Sequence, residues 1–359
     1  MGMVRRIAEI SLYVVMFLAA YAAMNYYVYN NVAQVITPLG KSPLGQVVFV
    51  LLAVSYPLSQ FFKSRLRRPL IVSFVGSLWL GMLATAVTVF LLYDFLSLFL
   101  PMGNQSWAIA LIIALTVLGA SKAWRGPVVK EVSLQQKKGA AAFSIAHLSD
   151  LHLGPQTSLK WLEKVIAQVN SLEVDIVVIT GDVIEDTYEG MARFLPAFQN
   201  LRGKGVYAVS GNHEYYQGIE HFQQFCRDAG IIIADGQCLK VADGVNLLGL
   251  GGRITGIDPK TEALIREQLG GSEDYNILLL HQPVGFKKTA ALGIDLQLSG
   301  HTHRGQILPL NFLIHLVYPY AYGLHALGES HIYVSSGTGT WGPPLRIGSS
   351  SEIVKIKVS

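Results

Sequence analysis

Residues 142–152 read Ala-Phe-Ser-Ile-Ala-His-Leu-Ser-Asp-Leu-His, an apolar run that ends in the motif Asp150-x-His152. Short apolar runs bounded by polar residues are typical of buried strands. Residues two apart on an extended segment leave from the same face, so Asp150 and His152 could hold one ion. This stretch predicts a strand that presents metal ligands at its carboxyl end.

Four further motifs follow the same plan along the chain. They are Gly181-Asp182 after residues 175–180, Gly211-Asn212-His213-Glu214 after 205–210, His281 after 275–280, and Gly300-His301-Thr302-His303. In α/β sheets the crevice beyond the carboxyl ends of strands is where ligands bind, so these motifs should converge. Helical spacing over 158–170 and apolar runs over 331–336 and 352–358 predict an α/β domain: a two-sheet β-sandwich flanked by helices.

The residue types in these motifs are those that divalent transition metals bind, namely carboxylate oxygens, amide oxygens and imidazole nitrogens. A carboxylate has two oxygens, so Asp182 is the natural bridge between two ions. Two ions roughly 4 Å apart can clamp a phosphoryl group and activate a water for in-line displacement. The motifs therefore predict a phosphoesterase that uses two divalent ions, of manganese, iron or zinc.

The first third of the chain is far more apolar than the rest. Hydrophobic residues make up 51% of the sequence and charged residues only 14%, which is unusual for a soluble enzyme. Four apolar runs carry this excess, over residues 7–29, 43–62, 69–93 and 107–123, and a helix needs about 20 residues to cross a bilayer. We predict an α-helical transmembrane bundle of four helices over 1–125. A cleaved signal peptide is an alternative for the first run, because Ala20-Tyr21-Ala22 resembles a cleavage site.

Lysine and arginine are distributed unevenly among the segments that flank these runs. Eleven lie on one side of the predicted bundle: Arg5, Arg6, Lys63, Arg65, Arg67, Arg68, Lys122, Arg125, Lys130, Lys137 and Lys138. The two opposite loops hold only Lys41. This asymmetry predicts a multi-pass protein of the inner or plasma membrane with both termini and the catalytic domain in the cytoplasm. Residues 126–142 are polar and predict a linker, which leaves 143–359 as the catalytic domain.

The five motifs together resemble the blocks of the calcineurin-like metallophosphoesterase superfamily. Residues 298–306 and 335–344 make the chain most similar to its membrane-anchored branch, which resembles the bacterial YkuE and YaeI phosphoesterases. The resemblance covers about residues 143–358 and leaves the membrane part outside. It implies one ion held by Asp150, His152, Asp182 and His303, and another held by Asp182, Asn212, His281 and His301.

The resemblance also implies that His213 contacts the phosphate and protonates the leaving group. Family members commonly orient this histidine with an aspartate three residues after the bridging aspartate. Here that position is Glu185, with Asp186 beside it, so the histidine–carboxylate pair departs from the family pattern. Arg304 directly follows the last ligand, where its planar guanidinium could neutralise a phosphate oxygen, although a plain surface arginine is an equal alternative.

The membrane part suggests what the substrate is. Because four helices would hold the active site near a leaflet, we predict a lipid-linked phosphodiester or pyrophosphate. The aromatic segment 309–327 could face the bilayer or hold an acyl chain, although packing of a long loop is an alternative.

A nuclease or soluble-nucleotide phosphodiesterase would use the same metals. Residues 1–125 hold nine bases and two acids, so the remainder carries −3 of the net +4, whereas nucleic-acid binders are usually basic.

A non-catalytic sensor or transporter with a phosphate-binding domain is a third alternative. Ionisable groups inside the predicted helices would favour it, but Glu9 and Asp94 are the acids of this part and lie near helix ends. The sequence thus favours helices that serve as an anchor.

Overall fold

The computed structural model describes residues 2–63, 70–135, 142–252, 254–270 and 273–359. The chain divides into two compact units, Met1–Leu118 and Gly119–Ser359. This division falls a few residues before the predicted boundary at 125. Five of the bases on which the predicted orientation depends lie outside the described residues: Arg65, Arg67, Arg68, Lys137 and Lys138.

The first unit is helical, as predicted. Its helices are α1 (Gly2–Val35), α2 (Thr37–Gly40), α3 (Pro43–Lys63), α4 (Leu70–Ser97) and α5 (Ser106–Arg125), the last of which continues into the second unit. Among the described residues, four segments are long and apolar enough to cross a membrane: Leu12–Val35, Pro43–Phe61, Leu70–Ser97 and Ser106–Arg125. The prediction of four apolar helices ahead of the catalytic domain is confirmed.

Several polar side chains inside this unit bond to one another. Trp79 Nε1 donates to Asn25 Oδ1 at 3.0 Å, and the Tyr27 hydroxyl donates to Asp94. Between α3 and α4, a Cβ on Gly76 would lie 2.8 Å from Tyr56 Cα, so the backbones meet closely there. In apolar surroundings, helices pack closely at small residues, and polar groups need hydrogen-bond partners within the protein.

The second unit contains two six-stranded mixed sheets. Its strands are β1 (Val128–Leu134), β2 (Phe143–Leu148), β3 (Ile176–Thr180), β4 (Gly205–Val209), β5 (Ile232–Ile233), β6 (Cys238–Ala242), β7 (Val245–Leu250), β8 (Tyr275–Leu280), β9 (Leu296–Ser299), β10 (Gly323–Leu327), β11 (Ser330–Val334) and β12 (Glu352–Val358). One sheet has the order β1-β12-β2-β3-β4-β5 and the other β10-β11-β9-β8-β7-β6. The tail strands predicted over 331–336 and 352–358 correspond to β11 and β12.

Helices connect and cover these strands. They are α6 (Leu159–Ser171), α7 (Tyr188–Met191), α8 (Leu195–Phe198), α9 (Asn212–Gln217), α10 (Ile219–Ala229), α11 (Pro259–Leu269), α12 (Phe286–Ala291) and α13 (Leu310–Val317). Helix α6 buries Leu162, Val165, Ile166 and Val169 on one face, which is the helical spacing that predicted it. The predicted two-sheet α/β domain with flanking helices is confirmed.

Alternating side chains of the parallel strands build two layers of core. On β2, Ile145 lies in the core between the sheets, whereas Ala146 and Leu148 lie in the core beneath the helices. Since successive residues of a strand point to opposite faces, a strand covered on both faces is apolar throughout. Strands β2, β3 and β4 pair in parallel, as do β7, β8 and β9. Their carboxyl ends therefore lie at common edges, where the motifs begin.

The prediction of a linker over residues 126–142 is wrong for its first half. Val128–Leu134 forms strand β1, which pairs in parallel with β12 along its whole length. Its side chains alternate between exposed and partly buried, as expected of an edge strand, and this polar pattern is what resembled a linker. Residues 136–141 lie outside the described residues.

Candidate metal centre

The first group of predicted ligands comes from the ends of β2 and β9. His152 Nε2 lies 3.0 Å from His303 Nε2, and His303 Nε2 lies 3.4 Å from Asp150 Oδ1. These side chains are buried, with one ligand atom of each within 4.8 Å of the others. Asp150 and His152 lie beyond the end of β2 and both have a left-handed backbone, so the extended segment expected for them is wrong. Their side chains nevertheless meet, together with a histidine 151 positions further along the chain.

The second group comes from the ends of β3, β8 and β9. His281 Nε2 lies 3.1 Å from Asp182 Oδ2 and 3.1 Å from His301 Nδ1. Asp182 Oδ2 is also 3.9 Å from His152 Nε2, which belongs to the first group. One carboxylate therefore lies between the two groups, where the sequence predicted a bridge.

The chemistry of these donors fits a bound cation. His281 Nδ1 must donate its proton to the Thr180 carbonyl at 2.7 Å, because a carbonyl oxygen only accepts. Nε2 of the neutral ring then directs a lone pair at the Asp182 carboxylate, which repels it unless a proton or a metal ion lies between them. A backbone bond that fixes the ring in this way is typical of metal-binding histidines.

Asn212 supplies a further observation of the same kind. Its Oδ1 is buried and has no hydrogen-bond partner in the protein. A buried oxygen without a partner costs about 1–3 kcal/mol, so such atoms are rare unless something else binds them. The next residue binds Asp182 directly, since His213 N donates to Asp182 Oδ1 at 2.9 Å. The amide oxygen predicted as a ligand is therefore available beside the bridging carboxylate.

The backbone at the ligands is strained. Five of the seven predicted ligands adopt a left-handed conformation, namely Asp150, His152, Asp182, His301 and His303. Residues other than glycine rarely adopt positive φ, and each instance costs on the order of 1–3 kcal/mol. Such strain clusters at functional sites, where the surrounding structure holds ligands in positions that a relaxed backbone would not give.

Burial and neighbouring charges set the protonation of the ligands. Burial alone disfavours protonated His281, but the adjacent Asp182 carboxylate outweighs it and raises the pKa of His281 to about 10. Burial lowers the pKa of His301 and of His303 to about 4 each. Despite burial, the nearby His281 holds the pKa of Asp182 below its usual range. Metal ions bind ionised carboxylates and neutral imidazoles, so an ion that binds here displaces the proton of His281.

Glu185 contacts two histidines at once. Its Oε1 lies 2.7 Å from His152 Nδ1 and 2.6 Å from His213 Nδ1. Although burial opposes ionisation, contact with these rings lowers the pKa of Glu185. Gln217 Nε2 donates to the other oxygen, Oε2, at 3.3 Å. The glutamate in the position where family members have aspartate therefore reaches the histidine that it was predicted to orient.

Glu214 stabilises the two loops that carry Asp182 and Asn212. Its buried carboxylate accepts from the backbone N–H groups of Gly211 at 2.7 Å, Asp182 at 3.0 Å, Val183 at 2.6 Å and Ile184 at 3.2 Å. Glu214 is the last residue of the motif Gly211-Asn212-His213-Glu214, but the sequence alone predicted no role for it. These contacts show that it fixes the backbone from which the ligands project.

We expect Glu214→Ala to lower the stability of the catalytic unit by about 3 kcal/mol or more, because four buried donors lose their acceptor. That loss corresponds to a fall of roughly 6–12 °C in unfolding temperature for a unit of this size. Thermal unfolding of the full chain in detergent, followed by near-UV circular dichroism, measures it. Glu189→Ala, which removes a fully exposed carboxylate, is the control. Equal unfolding temperatures for the two variants would contradict this role.

Arg346 is a second residue that the sequence did not predict. It is completely buried, and its guanidinium donates to the carbonyls of His303 at 3.1 Å, Ser336 at 2.7 Å and Gly337 at 3.2 Å. Burial lowers its pKa to about 10, so it remains a cation at neutral pH. It joins the loop after β11 to the last ligand of the first group. A lone arginine in a loop carries no sequence signal for this role.

Arg304 lies beside the ligands in sequence, and its guanidinium packs over the Tyr322 ring, 4.4 Å from the centroid. Its carbonyl accepts from Asn311 Nδ2 at 2.9 Å. Contact with a substrate phosphate therefore stays a prediction for this residue.

Comparison with known proteins supports the family that the site motifs resemble. Residues 143–305 match the family model of calcineurin-like phosphoesterases. The chain is 34% identical over 249 residues to an uncharacterized metallophosphoesterase of Helicobacter pylori strain J99, with 66% of each chain covered. It is 32% identical over 228 residues to the uncharacterized metallophosphoesterase YkuE of Bacillus subtilis, covering 60% of this chain and 78% of that protein.

A relative with membrane segments is also found. A transmembrane protein with metallophosphoesterase domain from Bos taurus is 32% identical over 277 residues, which cover 69% of this chain and 61% of that protein. The chain thus spans about two thirds of the length of the Helicobacter relative and less of the bovine one. These matches show that the chain belongs to the calcineurin-like phosphoesterase family. Its described residues also include four candidate membrane-spanning helices.

Proposed function

We propose that the chain is a membrane-embedded phosphohydrolase with two metal ions, which cleaves a phosphoester or pyrophosphate of a lipid-linked substrate at the cytoplasmic leaflet. The observation that carries the two-metal assignment is the position of Asp182. Its Oδ2 lies 3.1 Å from His281 Nε2 and 3.9 Å from His152 Nε2, so one carboxylate serves both groups of ligands.

The proposed ligand sets follow from these two groups. Asp150, His152, Asp182 and His303 would hold one ion, and Asp182, Asn212, His281 and His301 the other. Two divalent ions so held supply positive charge to the phosphoryl oxygens and lower the pKa of water. Manganese, iron and zinc all accept such ligands. The protein's contribution is to hold these donors rigidly in strained backbone conformations.

His213 is the proposed acid that protonates the leaving oxygen. Its Nδ1 lies 2.6 Å from the Glu185 carboxylate, and its Nε2 lies 3.9 Å from Asp182 Oδ2. The carboxylate fixes the orientation of the ring, with Nε2 on the side of the bridging ligand. The His213 side chain is 14% exposed and that of Asp182 is 3% exposed, so the histidine is the more accessible of the two.

A lipid-linked substrate is supported by the membrane helices and by charge. Four candidate spans keep the enzyme at a bilayer, where phospholipid headgroups are the most abundant phosphodiesters. The part of the chain after residue 125 carries a net charge of −3, which disfavours nucleic acid as a substrate. The cytoplasmic side is supported by the eleven bases that flank the apolar runs on one face, against one on the other.

We expect the full-length enzyme loaded with manganese to release product from a lipid-linked phosphodiester or pyrophosphate presented in mixed micelles. Phosphorus NMR of a panel of such lipids identifies the cleaved bond, and EDTA should abolish the new resonance. The panel should include cyclic and linear soluble nucleotides. Turnover of those nucleotides without turnover of any lipid would exclude the lipid proposal and favour a tethered nucleotide phosphodiesterase.

A further inference from the structure

Helix α13 is apolar and exposed. It reads Leu-Asn-Phe-Leu-Ile-His-Leu-Val, and none of its residues is buried. Leu316 is 83% exposed and Phe312 is 72% exposed. The surrounding segment 309–327 contains no lysine, arginine, aspartate or glutamate. A contiguous exposed apolar surface of this kind on a folded unit is typical of an interaction with a partner or a membrane.

The helix is fixed to the loop that carries the last two ligands. Asn311 at its start donates to the Arg304 carbonyl, and the Tyr318 ring at its end lies 5.7 Å from the His301 ring. Thr302 Oγ1, between the two ligands, donates to the Ala321 carbonyl at 2.7 Å. A Cβ on Gly305 would lie 2.4 Å from the Asn311 nitrogen, so the turn and the helix start are in direct contact. The exposed helix is therefore held rigidly beside the metal ligands.

Two exposed aromatic residues lie beside His213 in the same site. The Tyr216 ring lies 5.2 Å from the His213 ring and the Trp341 ring 6.3 Å from it, and both aromatic side chains are largely exposed. The Trp341 carbonyl accepts from Gln306 Nε2 at 2.8 Å, which ties it to the segment that precedes α13. Tyrosine and tryptophan favour the membrane–water interface, because their rings are apolar and their polar atoms remain hydrated.

We propose that α13 inserts into the surface of the bilayer in which the chain's own apolar helices lie. The partner is the boundary between headgroups and acyl chains, because four candidate spans of the same chain keep a bilayer within reach. An eight-residue helix is about 12 Å long, too short to cross a bilayer but suited to lie in its surface. The absence of charged side chains from segment 309–327 permits this insertion without burying a charge.

Insertion of α13 gives the proposed lipid specificity a physical basis. Because the helix is fixed to His301 through Tyr318, a membrane-bound α13 holds the metal ligands next to the headgroup layer. A lipid phosphate then reaches the site without its acyl chains leaving the bilayer. This consequence rests on the proposed function, whereas insertion itself is measured without any turnover.

Quenching of a fluorophore attached to α13 tests the proposal directly. Leu316→Cys in a Cys238→Ser background is labelled with an environment-sensitive fluorophore; Cys226 stays in place because it is buried. The labelled full chain is reconstituted into vesicles of phosphatidylcholine and phosphatidylglycerol whose acyl chains carry nitroxides. Ile232→Cys in the same background is the matched control, since Ile232 is an exposed apolar residue on β5.

We expect the nitroxides to quench the label at position 316 at least threefold more strongly than the label at position 232. Equal quenching at the two positions would overturn the proposal. Phe312→Cys provides the same comparison if Leu316→Cys does not fold, as judged by near-UV circular dichroism. Failure of the wild-type enzyme to cleave any lipid would refute the proposed substrate, but strong quenching would still establish insertion, so the two failures are distinguishable.

Discussion

Asp182→Asn should lower kcat/KM for phosphodiester hydrolysis at least about 1,000-fold. Removing one group that stabilises the transition state typically costs about 100- to 1,000-fold, and Asp182 is the proposed ligand of both ions. Asparagine is the better first variant, because it tolerates the positive φ of 53° at this position, which alanine would strain. Asp182→Ala should lose at least as much activity. Steady-state rates on an aryl phosphodiester measure both.

The matched control is Asp243→Ala, which removes an exposed carboxylate from the turn between β6 and β7. It should retain wild-type rates. An Asp182→Asn enzyme that kept more than a tenth of wild-type kcat/KM would contradict a bridging role for this carboxylate.

Replacing His213 by glutamine should have an effect that depends on the leaving group. General acid catalysis contributes about 100- to 10,000-fold when the leaving oxygen needs a proton. We therefore expect a loss of that size for an alkyl phosphodiester, and a much smaller one for a p-nitrophenyl ester, whose leaving group departs as a stable anion. The two rates, measured on the same enzyme preparation, give the comparison.

Glu185→Gln is the companion variant, because it keeps the shape of the side chain but removes the charge that contacts His213 and His152. Loss of such an orienting carboxylate typically costs about 10- to 100-fold. If His213→Gln slowed both substrates equally, the residue would bind the phosphate rather than protonate the leaving group.

The strands that carry ligands could be predicted because their signals are local. Strand β8 is a run of buried residues bounded by polar ones, and His281 follows it directly. Strand β1 was missed because its alternating polar pattern reflects an edge position, which depends on pairing with β12 at the far end of the chain. Helix α13 was missed because its eight residues make little more than two turns, too short a stretch for helical spacing to stand out.

The ligand residues were predictable and their supporting residues were not. Asp150 and His152 form a motif within three positions of sequence, whereas Arg346 acts through backbone carbonyls of four separate residues. Glu214 likewise acts through backbone N–H groups, three of them about 30 positions away. Contacts with the main chain leave no pattern of residue types, so only the three-dimensional structure shows them.

Anomalous diffraction from crystals of the manganese-loaded enzyme tests the two-metal assignment most directly. We predict two peaks about 4 Å apart, one bounded by Asp150, His152 and His303, the other by Asn212, His281 and His301, with Asp182 touching both. In Asp182→Asn crystals, at least one of the two peaks should weaken or disappear. A single peak in the wild type, or peaks located away from these residues, would contradict the account.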